Sequence, residues 1–417
     1  MVGGGAREHT LVWKIAQSPK VSEIYAAPGN AGTAKLARNL PIKPEDIEAL
    51  GAKALKNGID LVVVGPEAPL AAGIVNRFEA LGIPTFGATK EAARLESSKV
   101  FAKELMAKYG IPCARSQSFS DFDKALKYIE TQTLPIVIKA DGLAAGKGVV
   151  IAETPEQARQ SLGDMMRSRI FGTAGDNVLI EECLKGREMS AFAVSDGDTV
   201  VPMAAACDYK RVFDRDRGPN TGGMGGYSPP SFFTAALADK VNRTIMQPTI
   251  RAMAAENSPY RGVLYGGLMI TAEGPKVLEF NARFGDPETQ VIIPRLKSDL
   301  VELMLAVTGR RLDKVKIEWR DEACVGVVLA SGGYPGNYRV GLPISGLDDL
   351  DKDILVFHAG TKTGDSGETI TSGGRVLTVA ATGRTIAEAR EKVYHNLPRI
   401  RFEGGHYRRD IAETAVI

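Results

Sequence analysis

The run Val277-Leu278-Glu279-Phe280-Asn281-Ala282-Arg283-Phe284-Gly285-Asp286 alternates apolar side chains with a carboxylate, an amide and a guanidinium. Successive side chains of a strand point to opposite sheet faces. Read that way, Leu278 and Phe280 enter a core while Glu279, Asn281 and Arg283 line one cleft. A carboxylate and an amide carbonyl suit Mg²⁺, which leaves room for substrate phosphates, and Arg283 stands where it can stabilise charge developing beside them. An amphipathic edge strand alternates in the same way, so the chemical reading needs partners elsewhere in the chain.

The strongest partner is Val137-Ile-Lys139-Ala-Asp141-Gly142-Leu-Ala-Ala-Gly146-Lys147-Gly148-Val149, which reads as strand, loop, strand. Gly142, Gly146 and Gly148 allow close approach of backbone to a phosphate chain, and Lys139 and Lys147 can neutralise it. It is not a Walker loop, because the GxxxxGK[ST] order and the following helix are missing. Lys99, at the start of a helix, is a candidate third cation. The stretch Ile180-Glu181-Glu182-Cys183-Leu184, running on to Glu188, places carboxylates where an adenine amine or ribose hydroxyls could be held. From Asp208 to Gly226 the chain reads as a long irregular segment with charges of both signs and clustered glycines, the composition of an ordered substrate loop. His9, His358, His395 and His406 are scattered, with no triad order and no HExxH helix, which disfavours triad hydrolysis.

These groups need a scaffold. From Val21 to Thr85, apolar runs at 23–27, 59–64 and 83–86 alternate with helical stretches at 44–56 and 70–81, the rhythm of a parallel sheet covered on both sides, whose ligands bind beyond the strand C-termini. Gly3-Gly4-Gly5, Pro28 to Thr33 and Gly65-Pro66-Glu67 are the loops there. Gly3 to Gly5 run into a helix near Arg7, so bare backbone N–H groups could face an anion. Only Met1 and Val2 precede those glycines, so the first strand is either cut short or partly lacking. A helix over 97–109 leads to a small α+β module: strand 116–119, helix 121–130, strand 135–140, helix 155–167 and strand 178–182. Hairpins over 188–203 and 262–281 and a helix over 298–307 form a larger body. Strands near 322–330 and 375–381 form a last unit.

With 417 residues the chain exceeds one ordinary core. A formal net charge of +2 argues against a dedicated nucleic-acid or membrane-surface protein. The widely spaced Cys113, Cys183, Cys207 and Cys324 form no CxxC pair, so a zinc site or disulfide framework is not expected. The absence of a long apolar run or a signal-peptide pattern leads to the expectation of a cytoplasmic protein, and a monomer is the default.

The segments Gly3-Gly-Gly-Ala-Arg7-Glu8-His9, Pro28-Gly-Asn30-Ala-Gly32-Thr33, Val64-Gly-Pro-Glu67, Lys139 to Gly148, Gly218-Pro-Asn-Thr-Gly-Gly-Met-Gly225 and Glu279 to Gln290, in this order, resemble the glycinamide ribonucleotide synthetases of the ATP-grasp superfamily. The similarity extends to Ser331-Gly-Gly-Tyr334-Pro and Ser372-Gly-Gly-Arg375-Val. It implies a multidomain α/β ATP-grasp architecture. An N-terminal doubly wound, Rossmann-like domain would span residues 1–96, a small α+β lobe with its linker helix 97–187, a large lobe 188–318 and a small, mainly β or α+β C-terminal domain 319–417. The implied activity is ATP-dependent ligation of glycine to 5-phosphoribosylamine in purine synthesis, giving glycinamide ribonucleotide, ADP and phosphate through glycyl phosphate. By the same resemblance, Lys99 and Lys139 contact ATP phosphates, Lys147 closes over them with Gly146 and Gly148, Glu181, Glu182 and Leu184 hold adenine, and Glu188 holds ribose. Glu279 and Asn281 bind Mg²⁺ or Mn²⁺. Phosphoribosylamine lies near Gly4, Gly5, Asn30, Gly32, Thr33 and Glu67, and glycine near Asp208 and Arg283.

Three other readings compete. A carboxylating ATP-grasp ligase would share the Gly/Lys loop and the metal strand. A nucleotide-dependent oxidoreductase would use Gly3 to Gly5, but lacks GxGxxG and leaves Glu279 and Asn281 idle. A non-catalytic nucleotide-binding protein would leave Lys147 and Arg283 without a task.

Overall fold

Five short parallel strands carry the first unit in the computed structural model, which describes residues 1–143 and 148–415. Val2–Gly3 lies centrally. It pairs with Tyr25–Pro28 (Val2 opposite Ala27), which pairs with Arg38–Asn39, and a bridge from Val2 to Val64 joins the pair Val62–Val63 and Thr85–Phe86. The curtailed first strand is therefore present as two residues. Helices Ala6–Ile15, Ile47–Lys56 and Ile74–Ala80 connect these strands, with Leu11, Ile74 and Phe78 fully or almost fully buried. Burying a side chain of that size stabilises the fold by about 1.5–3 kcal/mol. The expected single helix over 70–81 is two helices, Glu67–Ala72 and Ile74–Ala80, because Gly73 takes φ +92° and ends the first. A cavity of about 350 Å³ lies at the foot of the sheet, lined by Met1, Tyr25, Leu50, Leu61 and Phe78. It is at the opposite end from the glycine loops.

Asp121 and Thr154 cap the helices Phe122–Glu130 and Pro155–Met166. Both helices pack on an antiparallel sheet ordered Ser116–Phe119, Val178–Glu182, Ile136–Ala140, Val149–Ala152. The larger body is a second antiparallel sheet ordered Val200–Pro202, Arg187–Asp196, Arg261–Thr271, Gly274–Asn281. A third sheet joins Cys207–Asp208 and Gly225–Ser228 to Ala323–Ala330, Arg375–Gly383 and Leu355–His358, so the last unit shares a continuous ladder with the segment around Asp208. The stretch expected to be irregular contains a hairpin, Arg211–Phe213 with Arg217–Asn220. Its tip is tied down because Arg408 bonds Asp216 at 2.8 Å and Arg409 N–H donates to Asp214 at 2.7 Å. No described helix is long and apolar enough to cross a membrane.

Candidate active site

The strand Gly274–Asn281 departs from simple alternation. Val277 faces Leu268 and Glu279 faces Gly267, so Leu278 is the extra residue of a β-bulge. Leu278 therefore lies outside the core, and Val277 and Phe280 are the buried pair. The bulge leaves Glu279 and Asn281 on one face, as alternation predicts. Arg283 Nη2 donates to Asn281 Oδ1 at 3.1 Å and meets Glu96 Oε1 at 2.8 Å, while Nε lies 3.4 Å from Glu67 Oε2.

Four cations surround Glu279. Burial opposes ionisation of its carboxyl, but Lys210, Lys139, Lys99 and Arg283 overcome that penalty and hold it below the usual carboxylate range. Among the described residues the Glu279 carboxylate has no hydrogen-bond or ion-pair partner, and no three His, Cys, Asp or Glu side chains gather into a metal cluster. An unpartnered carboxylate beside an amide oxygen fits a hard cation that takes its other ligands from phosphate and water.

The lysines reach this point from different elements. Lys139 on the strand Ile136–Ala140 donates to Leu278 O at 2.9 Å and lies 3.0 Å from Glu181 Oε2. Ser98 caps the helix Lys99–Lys108. Its first residue, Lys99, donates to Gly142 O at 2.8 Å, and Lys103, one turn on, lies 3.1 Å from Glu181 Oε1. Glu181 thus forms ion pairs with two lysines, while its Oε1 makes no hydrogen bond among the described residues. Glu182 accepts from Arg115 N–H and Nε, both at 2.9 Å. Leu184 is half-buried just past the strand, and Gly148 is buried, its carbonyl accepting from Ala140 N–H at 2.9 Å. Gly146 and Lys147 lie outside the described residues.

Glu188 pairs with Lys210. Burial would discharge Lys210, yet Asp208, Glu188 and Glu279 raise its pKa well above the ordinary lysine value. Burial pushes the Asp208 carboxyl up to about 7, against Lys210 and aided by Glu288 and Glu188.

On the first unit, Gly5 caps the helix Ala6–Ile15, and its N–H donates to Glu8 Oε2 at 2.6 Å. Gly32 and Thr33 N–H both donate to Asn30 Oδ1, at 2.8 and 2.9 Å. These three amides are therefore engaged inside the protein, and at Gly5 this differs from the expected bare N–H group facing an anion. Gly4 packs so closely on Gly29 that a Cβ there would collide with its carbonyl oxygen. Glu67 opens the helix Glu67–Ala72 and, 4.0 Å from Arg7 Nη1, links this unit to Arg283. Burial alone would raise the Glu67 pKa, but Arg283 and Arg7 hold it below the usual range.

Contacts and mutual electrostatic influence therefore bring Lys99, Lys139, Asp208, Glu279, Asn281, Arg283 and Glu67 together, while the side chain of Glu182 is directed to Arg115. The sequence reading passed over Lys103, Glu96 and Lys210, and gave no role to Arg7 or Arg375. Arg375 Nη1 donates to Gly222 O at 2.7 Å and meets Asp286 Oδ1 at 3.1 Å. The only local signal was the four-residue spacing of Lys99 and Lys103, which puts them on one helix face.

Residues 1–96, 97–289 and 324–414 match, respectively, the N domain, the ATP-grasp (A) domain and the C domain of phosphoribosylglycinamide synthetase. A phosphoribosylamine–glycine ligase of Halalkalibacterium halodurans is 51% identical over 417 residues, covering 100% of this chain and 96% of the relative. One from Vibrio cholerae is 50% identical over 421 residues, covering 100% and 98%. The crystal structure of phosphoribosylamine–glycine ligase from Thermotoga maritima superposes with a TM-score of 0.87 at 38% identity, over 99% of both chains. Biotin carboxylase from Campylobacter jejuni shares the fold at a TM-score of 0.77, with 14% identity over 97% of this chain and 92% of that one.

Proposed function

Because this chain belongs to the phosphoribosylglycinamide synthetase family, we propose that Lys99, Lys139, Lys210, Glu279 and Asn281 form the triphosphate half of its cleft, and that the first-unit loops form the phosphoribosylamine half. The chain is an ATP-dependent ligase that joins glycine to phosphoribosylamine in purine biosynthesis. The observation that carries the site assignment is the ionised Glu279, with no direct partner among the described residues, amid four cations drawn from separate segments. Mg²⁺ or Mn²⁺ held by Glu279 and Asn281 would offset the negative charge of the β- and γ-phosphates.

Residues 97–187 and 188–318 act as the small and large ATP-binding lobes, between 1–96 and a C-terminal unit 319–417. Lys99 and Lys139 bind phosphate oxygens, with Lys147 and its flanking glycines Gly146 and Gly148 over them. Residues 181–184 and Glu188 take the nucleoside. Glycine binds near Asp208 and Arg283, where the guanidinium, held by Glu96 and Glu67, orients its carboxylate. A carboxylate oxygen of glycine attacks the γ-phosphorus. The bond to the bridging oxygen breaks, ADP leaves and glycyl phosphate forms. The amine of phosphoribosylamine then attacks the glycyl carbonyl, the C–O bond to phosphate breaks, and the nitrogen gives up a proton as the amide forms. Cations that hold two anionic substrates together supply proximity and charge stabilisation, and no covalent nucleophile is needed.

The proposed enzyme acts as a monomer on the small molecules ATP, glycine and phosphoribosylamine. Four unpaired cysteines suit a reducing cytoplasm. An ADP-release assay tests the reading. Release should require glycine and phosphoribosylamine together, and release driven by bicarbonate would instead favour a carboxylating enzyme.

A further inference from the structure

His9 lies on the helix Ala6–Ile15, 6% exposed, and its Nδ1 accepts the backbone N–H of His358 at 2.9 Å. That bond requires an unprotonated Nδ1. His358 ends the strand Leu355–His358 in the last unit, and its carbonyl accepts from Asn30 Nδ2 at 2.7 Å. The same amide nitrogen donates to Gly4 O at 2.9 Å, while Asn30 Oδ1 receives the N–H groups of Gly32 and Thr33. The contacts close a circuit: His9 to His358, His358 to Asn30, Asn30 to Gly4, and five residues along the chain back to His9. Thr361 reinforces it, its hydroxyl 3.0 Å from His358 Nδ1 and its carbonyl accepting from Ala31 N–H at 3.4 Å. Gly32 faces both imidazoles, and a Cβ at that position would run into each ring.

Asn30 fixes the shape of the loop, and the last unit fixes Asn30. We propose that His9 is a positioning residue for the phosphoribosylamine half of the site: by holding the strand end at His358 against the first unit, it makes the C-terminal unit set the geometry of the loop from Asn30 to Thr33. This rests on the reading that the loop receives phosphoribosylamine. The ATP half lies on other elements and does not use the circuit.

The test is calorimetric binding of the stable product glycinamide ribonucleotide, and separately of a non-hydrolysable ATP analogue with Mg²⁺, to the full chain carrying His9→Leu, His9→Asn or Gly32→Ala. Loss of one buried hydrogen-bond partner corresponds to about a tenfold change in affinity. His9→Leu and Gly32→Ala should weaken the ribonucleotide by about that factor and leave the ATP analogue within about twofold. His9→Asn, whose Oδ1 can replace Nδ1 as acceptor, should recover most of the loss. It also supplies a readout if His9→Leu does not fold. Equal weakening of both ligands, or wild-type ribonucleotide binding by His9→Leu, overturns the proposal. Hydrogen exchange on the unsubstituted chain separates it from its premise. If the ribonucleotide fails to protect the amides of residues 29–33, the loop assignment itself fails. If it protects them while His9→Leu binds normally, only the role of His9 falls.

Discussion

Lys139 and Lys103 hold the two carboxylate oxygens of Glu181 at 3.0 and 3.1 Å, in a setting where Glu181 is 2% exposed. A strand carboxylate thus orients two lysines from different elements in a nearly water-free setting. Breaking a buried pair by removing one partner costs about 3–5 kcal/mol, because the remaining charge is left uncompensated.

Glu181→Ala should therefore lower stability by about 3 kcal/mol. ATP phosphates can replace part of the lost carboxylate, so saturating ATP should raise the melting temperature of the variant more than that of the parent. Thermal unfolding with and without ATP measures this, and an equal ATP shift in both proteins would count against a phosphate-facing Lys139.

Glu279→Ala leaves Lys210, Lys139, Lys99 and Arg283 without the carboxylate whose pKa they depress, so the melting temperature of the ligand-free variant should fall. Activity should fall by at least about 100-fold, the upper end for loss of a group that supports a metal. Steady-state rates across a Mg²⁺ and Mn²⁺ titration measure it, and undiminished activity would refute the ligand assignment.

Much of this centre was legible locally. Lys139, Glu279 and Asn281 sit on strands whose period placed them on usable faces, and Arg283 lies in the bend just past the strand end rather than on the strand as read. The bulge at Leu278 was not legible, because an extra residue in a ladder depends on the partner strand, here Gly267 and Leu268. Nor could alternation reveal that Glu181 serves Lys103 and Lys139, or that His358 and Arg375 reach loops more than 150 residues earlier in the chain. Such contacts leave no periodic trace. The expectation of bare amides at Gly3 to Gly5 failed at Gly5 for a related reason: Glu8 competes for the same donor.

Acid stability should report the His9 and His358 pair. Burial lowers their pKa values to about 3 and about 4 from an ordinary 6.5. With folded pKa values depressed, the unfolded chain binds more protons below pH 6.5, so the stabilisation present above 6.5 is lost as pH falls towards 4 and then 3. His9→Asn should flatten the decline in melting temperature between pH 6.5 and 4, measured by calorimetry against the parent. An unchanged slope would mean that His9 is not buried as a neutral ring.

Asp208 carries a pKa shift of opposite sign. Burial raises its pKa to about 7, so if the ionised carboxylate holds glycine, kcat/KM for glycine should rise with pH through about 7 in the free enzyme. Asp208→Asn should lower kcat/KM and abolish that limb. A variant that keeps the same limb would assign the ionisation to another group.

Transfer of oxygen from glycine to phosphate tests the proposed chemistry most directly. With glycine labelled by ¹⁸O in its carboxylate, and with ATP and phosphoribosylamine present, mass spectrometry of the inorganic phosphate should find one ¹⁸O per molecule, because the attacking oxygen leaves with phosphorus. Phosphate free of label, formed at the full rate of product, would contradict attack by glycine on the γ-phosphate in this cleft.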